Sequence, residues 1–330
     1  MQNRPTTVLI TRILPEIAAR MLKEAGMEVT QWQLPRDMTA EEFRHEAARH
    51  DAVLSIGANR IDREFLDACP GLKMISQFAV GFDNIDVPEA TRRGIPVGNT
   101  PDSVTHATAD VAFLLMMAVS RKAFFLNHQI SLGAWKQFEP VKNLGIELRG
   151  KTLGIFGMGR IGVQMALRCK GAFGMDVIYH NRNRNLEGER YTGARWVSFE
   201  ELLASSDVLS VHSVLSDETR GRFGAAEFSQ MRSGSIFINT SRGGVHDEEA
   251  LLQALRTNII WGAGLDVTNP EPMAADHPLL SMENVAILPH IGSGTEETRN
   301  DMARTAAQNL ISYFKDGSVP HCVNPEVLHR

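Results

Sequence analysis

The chain has 330 residues, 34 Lys and Arg against 39 Asp and Glu for a formal net charge of −5, and three cysteines. This length accommodates two domains with substantial cores, and a mildly acidic chain with no basic run argues against a nucleic-acid partner. Scattered Cys69, Cys169 and Cys322 form neither a disulfide framework nor a metal-ligand spacing. The opening MQNRPTTVLITR lacks a signal peptide's apolar core and no segment reaches membrane-spanning length, so a cytoplasmic protein with no metal and no membrane partner is expected.

In chain order, short apolar runs alternate with helical segments. Thr7–Ile10, Asp51–Ile56, Leu72–Phe78 and Ile95–Asn99 read as strands, with helices expected over Pro15–Ala25 and Ala40–Arg49. That alternation predicts a parallel sheet with helices on its faces. Ala107–Val119 is apolar on almost every side and predicts a buried helix at a domain or subunit junction, its two methionines in the core.

The most informative stretch follows. Thr152–Phe156 is a short apolar run suited to a buried strand, Gly157, Gly159 and Gly162 stand in G-x-G-x-x-G spacing, and Ile161–Lys170 is a good helix former. Gly157 permits a tight turn, Gly159 lets backbone approach a pyrophosphate, and Gly162 lets helix and strand pack closely. The helix N-terminus then offers N–H groups and partial positive charge to a phosphate. A second series of strands is expected at Asp176–Tyr179, Val208–Val211, Ser235–Asn239, Gly262–Val267 and Val285–Leu288, and a last helix at Glu296–Phe314.

Three segments of this second half bring chemistry to strand ends. Arg242 lies in INTSRGG, Glu271 in the NPEP that follows GAGLDV, and His290 in LPHIGS. Ligands of doubly wound sheets bind outside the carboxyl ends of the strands. Singly, a surface cation, a loop carboxylate and a hydrogen-bonded histidine are ordinary structural residues. Their convergence beside a nucleotide cradle points to a reaction centre.

The chain resembles the D-isomer-specific 2-hydroxyacid dehydrogenases, and within them the glyoxylate/hydroxypyruvate reductase branch. The resemblance rests on AVGFDNIDV (79–87), TPDSVTHATAD (100–110), LRGKTLGIFGMGRIG (148–162), INTSRGGVHDEEAL (238–251), GAGLDVTNPEP (262–272) and PHIGSGTEETR (289–299). It implies two doubly wound α/β domains: a discontinuous flavodoxin-like substrate domain (1–99 plus 295–330) and a Rossmann NAD(P)-binding domain (100–294). It also implies a homodimer built on the cofactor domain, including the arm near Trp135.

The resemblance further implies reduction of a small 2-oxo acid to the 2-hydroxy acid. The nicotinamide gives the hydride and His290 the proton, a task suited to imidazole. Glu271 matches the carboxylate that orients this ring and favours imidazolium. Arg242 matches the residue that grips the substrate carboxylate with a planar guanidinium, and the N–H groups of Val80 and Gly81 are implied to hold the same carboxylate. Cofactor contacts are implied for Arg160 and Ile161 in the glycine turn and for Thr240, Arg242, His290 and Gly292. Thr108 and Asp266 match positions near the nicotinamide end, with helix capping and strand-end capping as their plain structural alternatives. His106, His212 and His246 match no catalytic role. Some relatives acting on other anions carry Lys where this chain has Ala79, which argues against an inorganic substrate.

Cofactor choice turns on the end of the second cofactor-domain strand. NAD-preferring folds place an acidic residue there for the ribose hydroxyls. This chain has Asn181, followed by Arg182 and Arg184, with Arg160 in the glycine turn. An uncharged residue beside three cations predicts NADP over NAD, against the alternative of a basic surface loop. Two other readings stay open: the same chemistry on a larger acid such as 2-ketogluconate, and a cofactor-sensing, corepressor-like interaction protein that shares the fold.

Overall fold

The structure, a computed structural model, describes residues 4–57 and 59–328. The extreme ends of the expected substrate domain, residues 1–3 and 329–330, lie outside the described residues. The chain divides into two compact units, one comprising the residues up to Val104 with those from Gly294 onward, the other Thr105–Ser293.

The first unit is a five-stranded parallel sheet of β1 (Thr7–Ile10), β2 (Glu28–Gln31), β3 (Ala52–Ser55), β4 (Met74–Gln77) and β5 (Val97–Gly98), in the order β2-β1-β3-β4-β5. That is the flavodoxin-like winding. All four residues of β3 and of β4 are buried, as expected of strands covered by helices on both faces. The expected helices run over Glu16–Glu24 and Ala40–Ala47, the latter opened by a Thr39/Glu42 capping box. On one face Leu9, Phe43, Val53, Phe65, Ile75 and Val97 share a core in which the Phe43 and Phe65 rings stack at 4.3 Å.

The C-terminal helix Glu296–Asp316 belongs to this unit. The Ser76 hydroxyl donates to the Ala306 carbonyl at 2.8 Å, and Asn309 Nδ2 donates to the Asn99 carbonyl at 2.9 Å. Asn324 then accepts from Val97 N–H and donates to the Ile95 carbonyl and the Thr91 hydroxyl. These bonds span more than 200 positions of sequence, so the chain's end completes a sheet that its start begins.

Strand β2 and the helices Arg63–Ala68 and Val87–Arg92 are not among the elements expected from the sequence. The strand (EVTQ) is a half-exposed edge without an apolar run, and each helix has six residues, too few for a periodic pattern. Their surviving signals are the caps Asp62 and Asp86.

The second unit is a seven-stranded parallel sheet: β6 (Thr152–Phe156), β7 (Asp176–His180), β8 (Arg195–Trp196), β9 (Val208–Val211), β10 (Ile236–Asn239), β11 (Gly262–Leu265) and β12 (Val285–Ile287). Its order, β12-β11-β10-β9-β6-β7-β8, is the Rossmann winding with one added strand. Successive strand residues enter different cores: Ile155, Ile236 and Ile238 pack with Leu115, Met116 and Met165, whereas Phe156, Phe237 and Leu209 pack with Phe223 and Phe228.

The apolar helix expected at 107–119 spans Thr105–Ser120. Met116 is fully buried, but Met117 is 42% exposed and Leu114 46%, which corrects the expectation that both methionines sit in the core. One stripe of this helix covers β10 and β11 while the apolar side opposite faces outward within this unit.

Candidate active site

Every strand of the second unit is parallel, so their carboxyl ends share one edge. The order reverses beside β6, which has β7 on one side and β9 on the other, and the glycine turn leaves the sheet at that switch point. Gly157 has φ +98°, and a side-chain carbon there would stand 2.7 Å from the backbone of His212 and Ser213, so only glycine fits. At Gly159, which caps helix Arg160–Phe173, the added carbon would meet nothing within 4 Å. The open face of the cradle is at that second glycine.

The turn is clamped by residues from the following strand and loop. Asn181 Oδ1 accepts from Met158 N–H at 2.6 Å, while Asn181 Nδ2 (3.3 Å) and Asn185 Nδ2 (2.8 Å) both donate to the Met158 carbonyl. Trp196 Nε1 donates to the Asn181 carbonyl at 3.0 Å. Asn185 and Trp196 carry no signal in the sequence, because their contribution is a hydrogen bond across a loop rather than a motif.

The two arginines after Asn181 differ in their commitments. Arg184 makes a two-pronged pair with Glu189, at 3.0 and 2.6 Å, and this pair together with the Tyr179 hydroxyl pulls the Glu189 carboxyl below its ordinary range. Arg182 makes a single 3.0 Å contact with Glu218, and both side chains are more than 70% exposed. An exposed single pair contributes little and gives way readily.

On the other side of the switch point, three neighbouring strands deliver the remaining residues. His290 Nδ1 lies 2.6 Å from Glu271 Oε1. The His290 backbone is left-handed (φ +54°), a conformation that costs a non-glycine residue about 1 kcal/mol or more. It is held there by Asp266: His290 N–H donates to the Asp266 carbonyl at 2.9 Å, and the N–H groups of Ile291 (2.8 Å) and Gly292 (2.7 Å) donate to its carboxylate. Burial pushes the Asp266 carboxyl up from its ordinary value while those two N–H groups pull it down. Thr108 sits inside its helix, not at the cap, and its hydroxyl donates to the Gly292 carbonyl at 3.0 Å. Thr108 and Asp266 thus anchor the same loop, the one that carries His290.

Arg242 follows β10 by three residues and is half-buried, with Nη1 donating to the Ser241 carbonyl at 2.9 Å. Its loop touches the loop after β11 closely: a side-chain carbon on Gly243 would lie 2.0 Å from the Thr268 carbonyl oxygen. Asn239, fully buried at the end of β10, binds Ser241 and Arg242 backbone groups and His246. In the sequence Asn239 belongs to no catalytic motif and His246 matches no catalytic role. The available signal was a polar residue closing the apolar strand IFIN just before Arg242.

A dinucleotide fits what these residues leave unmet. His212 Nδ1, Ser213 Oγ and Thr240 Oγ1, all at the ends of β9 and β10, are buried polar atoms without a hydrogen-bond partner among the described residues. In the first unit, the Val80 carbonyl accepts from Asn99 Nδ2 at 2.8 Å, and Val80 and Gly81 are partly exposed.

Burial also pushes the imidazoles of His212 and His246 down to about 4 from an ordinary 6.5. Both are neutral when folded, whereas the unfolded chain takes up protons below pH 6.5. Stability should therefore fall as pH drops from about 6.5 to 4, by up to about 3 kcal/mol for each ring. Urea unfolding at pH 7 and pH 4.5 measures this, and His246→Asn should reduce the loss. An equal loss in that variant would mean that other groups govern the acid response.

The family model for the D-isomer specific 2-hydroxyacid dehydrogenase, NAD binding domain, matches residues 113–292. The chain is 44% identical over 325 residues to a glyoxylate reductase of Thermococcus litoralis, covering 97% of each chain. Its structure is similar to a glyoxylate reductase from Paecilomyes thermophila, with a TM-score of 0.86, 36% identity, and 98% and 99% of the two chains covered. It is also similar to an NADPH-dependent glyoxylate/hydroxypyruvate reductase from Sinorhizobium meliloti in complex with NADP and malonate. There the TM-score is 0.83 at 30% identity, with 97% of each chain covered.

Proposed function

Because the chain belongs to the D-isomer-specific 2-hydroxyacid dehydrogenases, as an oxidoreductase of the glyoxylate reductase branch, we propose that it reduces glyoxylate or hydroxypyruvate with NADPH. The observation that carries the mechanism is the His290–Glu271 pair, 2.6 Å apart at the sheet edge that also bears Arg242 and the glycine turn. Unit Thr105–Ser293 is taken as the cofactor domain and the rest of the chain as the substrate domain.

When bound, the nicotinamide supplies the hydride. Gly157, Gly159, Arg160, Ile161 and Gly162 cradle the phosphates, and Thr240, Asp266, Gly292 and Thr108 shape the nicotinamide end. Arg242 binds the substrate carboxylate and polarises the carbonyl. With Nδ1 of His290 given to Glu271, Nε2 is the nitrogen that passes the proton to the carbonyl oxygen. For the first unit, the AVGFDNIDV motif supports carboxylate binding by the N–H groups of Val80 and Gly81.

NADPH preference is supported by the uncharged Asn181, the loosely paired Arg182, and the NADPH-dependent relative. Arg184, committed to Glu189, is the weaker candidate for a 2′-phosphate contact. A homodimer is supported by apolar side chains exposed on this unit: Trp135 at 70%, Phe138 at 85% and Val141 at 81%. Among the described residues no helix is long and apolar enough to cross a membrane, and the proposed location is cytoplasmic.

The test is steady-state kinetics with a panel of 2-oxo acids, NADPH and NADH at one ionic strength. The parent should give a higher kcat/KM with NADPH, and Asn181→Asp with Arg182→Ala should reverse the order. Loss of a charge-assisted bond to the phosphate is worth roughly ten- to a hundredfold. The aspartate can keep accepting from Met158 N–H while Asn185 still serves the Met158 carbonyl. A parent that favours NADH would refute the phosphate pocket, and no turnover of glyoxylate or hydroxypyruvate would refute the substrate reading.

A further inference from the structure

We propose that Asn239 is a positioning residue for Arg242, with His246 holding the Asn239 amide in its working orientation. This rests on the reading of Arg242 as the substrate-carboxylate anchor. Asn239 is fully buried, and its Oδ1 accepts from Ser241 N–H at 2.9 Å and from the Ser241 hydroxyl at 2.8 Å. Its Nδ2 donates to the Arg242 carbonyl at 2.9 Å and lies 3.1 Å from His246 Nδ1. One side chain therefore binds the two consecutive residues that set where the Arg242 guanidinium emerges.

The amide orientation is dictated by chemistry. A backbone N–H can only donate and a carbonyl can only accept, so oxygen must face Ser241 and nitrogen must face Arg242. The second Nδ2 hydrogen then points to His246, whose Nδ1 must accept, which places the ring proton on Nε2. A buried neutral ring is what its depressed pKa of about 4 also requires. His246 is buried against the Phe237 ring at 5.6 Å, with Asp247 as the adjacent carboxylate. The Arg242 loop has little freedom to absorb a change, since Gly243 already lies against the Thr268 carbonyl.

Three variants of the full-length enzyme test this, with glyoxylate and NADPH as probes. Asn239→Asp keeps the shape and both bonds from Ser241 but turns an oxygen toward the Arg242 carbonyl. His246→Leu leaves an apolar side chain beside Phe237 and gives the Asn239 amide no acceptor, whereas His246→Asn restores an acceptor near Nδ1. The expected result is a KM for glyoxylate raised about tenfold or more in Asn239→Asp and His246→Leu, with the KM for NADPH within about twofold of the parent. His246→Asn should return the glyoxylate KM to within about threefold.

A purely structural role would lower the melting temperature and move both KM values together. If Asn239→Asp does not fold, the His246 pair carries the test. Equal glyoxylate KM values in His246→Leu and His246→Asn would overturn the proposal. Arg242→Ala is measured alongside. If it leaves the glyoxylate KM unchanged, the reading of Arg242 fails and takes the proposal with it. If Arg242→Ala is impaired and the His246 pair is indistinguishable, the positioning role alone fails.

Discussion

His290→Gln is expected to lower turnover of glyoxylate by roughly 10²- to 10⁴-fold, the usual contribution of a placed general acid. Glutamine keeps a hydrogen-bonding side chain of similar length but cannot gain and lose a proton near neutral pH. The structure holds the imidazole through two independent restraints. Glu271 binds Nδ1, and Asp266 fixes the left-handed backbone of His290 and the two N–H groups after it. Because the backbone restraint does not involve the ring, the variant should keep its loop and its affinity for NADPH. Steady-state turnover with cofactor binding measured by fluorescence titration checks both halves. Turnover within threefold of the parent would remove His290 from the chemistry.

Arg242→Lys is expected to lower kcat/KM for glyoxylate by roughly ten- to a hundredfold although the charge is kept. A carboxylate binds a guanidinium through two parallel bonds, and an ammonium at the end of a flexible stem offers no matching fork. The position is also shaped around arginine: Nη1 turns back on the Ser241 carbonyl, and Asn239 holds the Arg242 carbonyl. Lysine would lose the first of these contacts as well. An unaltered kcat/KM would sink the assignment of Arg242 to the substrate carboxylate.

Much of the framework was legible in the sequence because its signals are local. Buried parallel strands read as short apolar runs, and TVLI, AVLS, TLGIF and VLSV each lie within a segment expected as a strand. The glycine turn was legible because Gly157 occupies a backbone conformation and a space that other residues cannot enter. What escaped were elements without an apolar run, such as edge strand β2, and helices too short to show a period.

The residues of the proposed reaction centre divide along the same line. Arg242, Glu271 and His290 were named from the strand ends that carry them, since a parallel sheet puts all its carboxyl ends on one edge. Sequence alone determined which chemistry reaches that edge. Only the tertiary structure decided how it is held there. It shows that Asp266 and Thr108 brace the His290 loop, that Arg184 is bound to Glu189 while Arg182 is loosely paired, and that Asn239 and His246 stand behind Arg242. The reason is physical: a hydrogen bond depends on a few tenths of an ångström between groups that can be many residues apart, and residue order does not carry that distance.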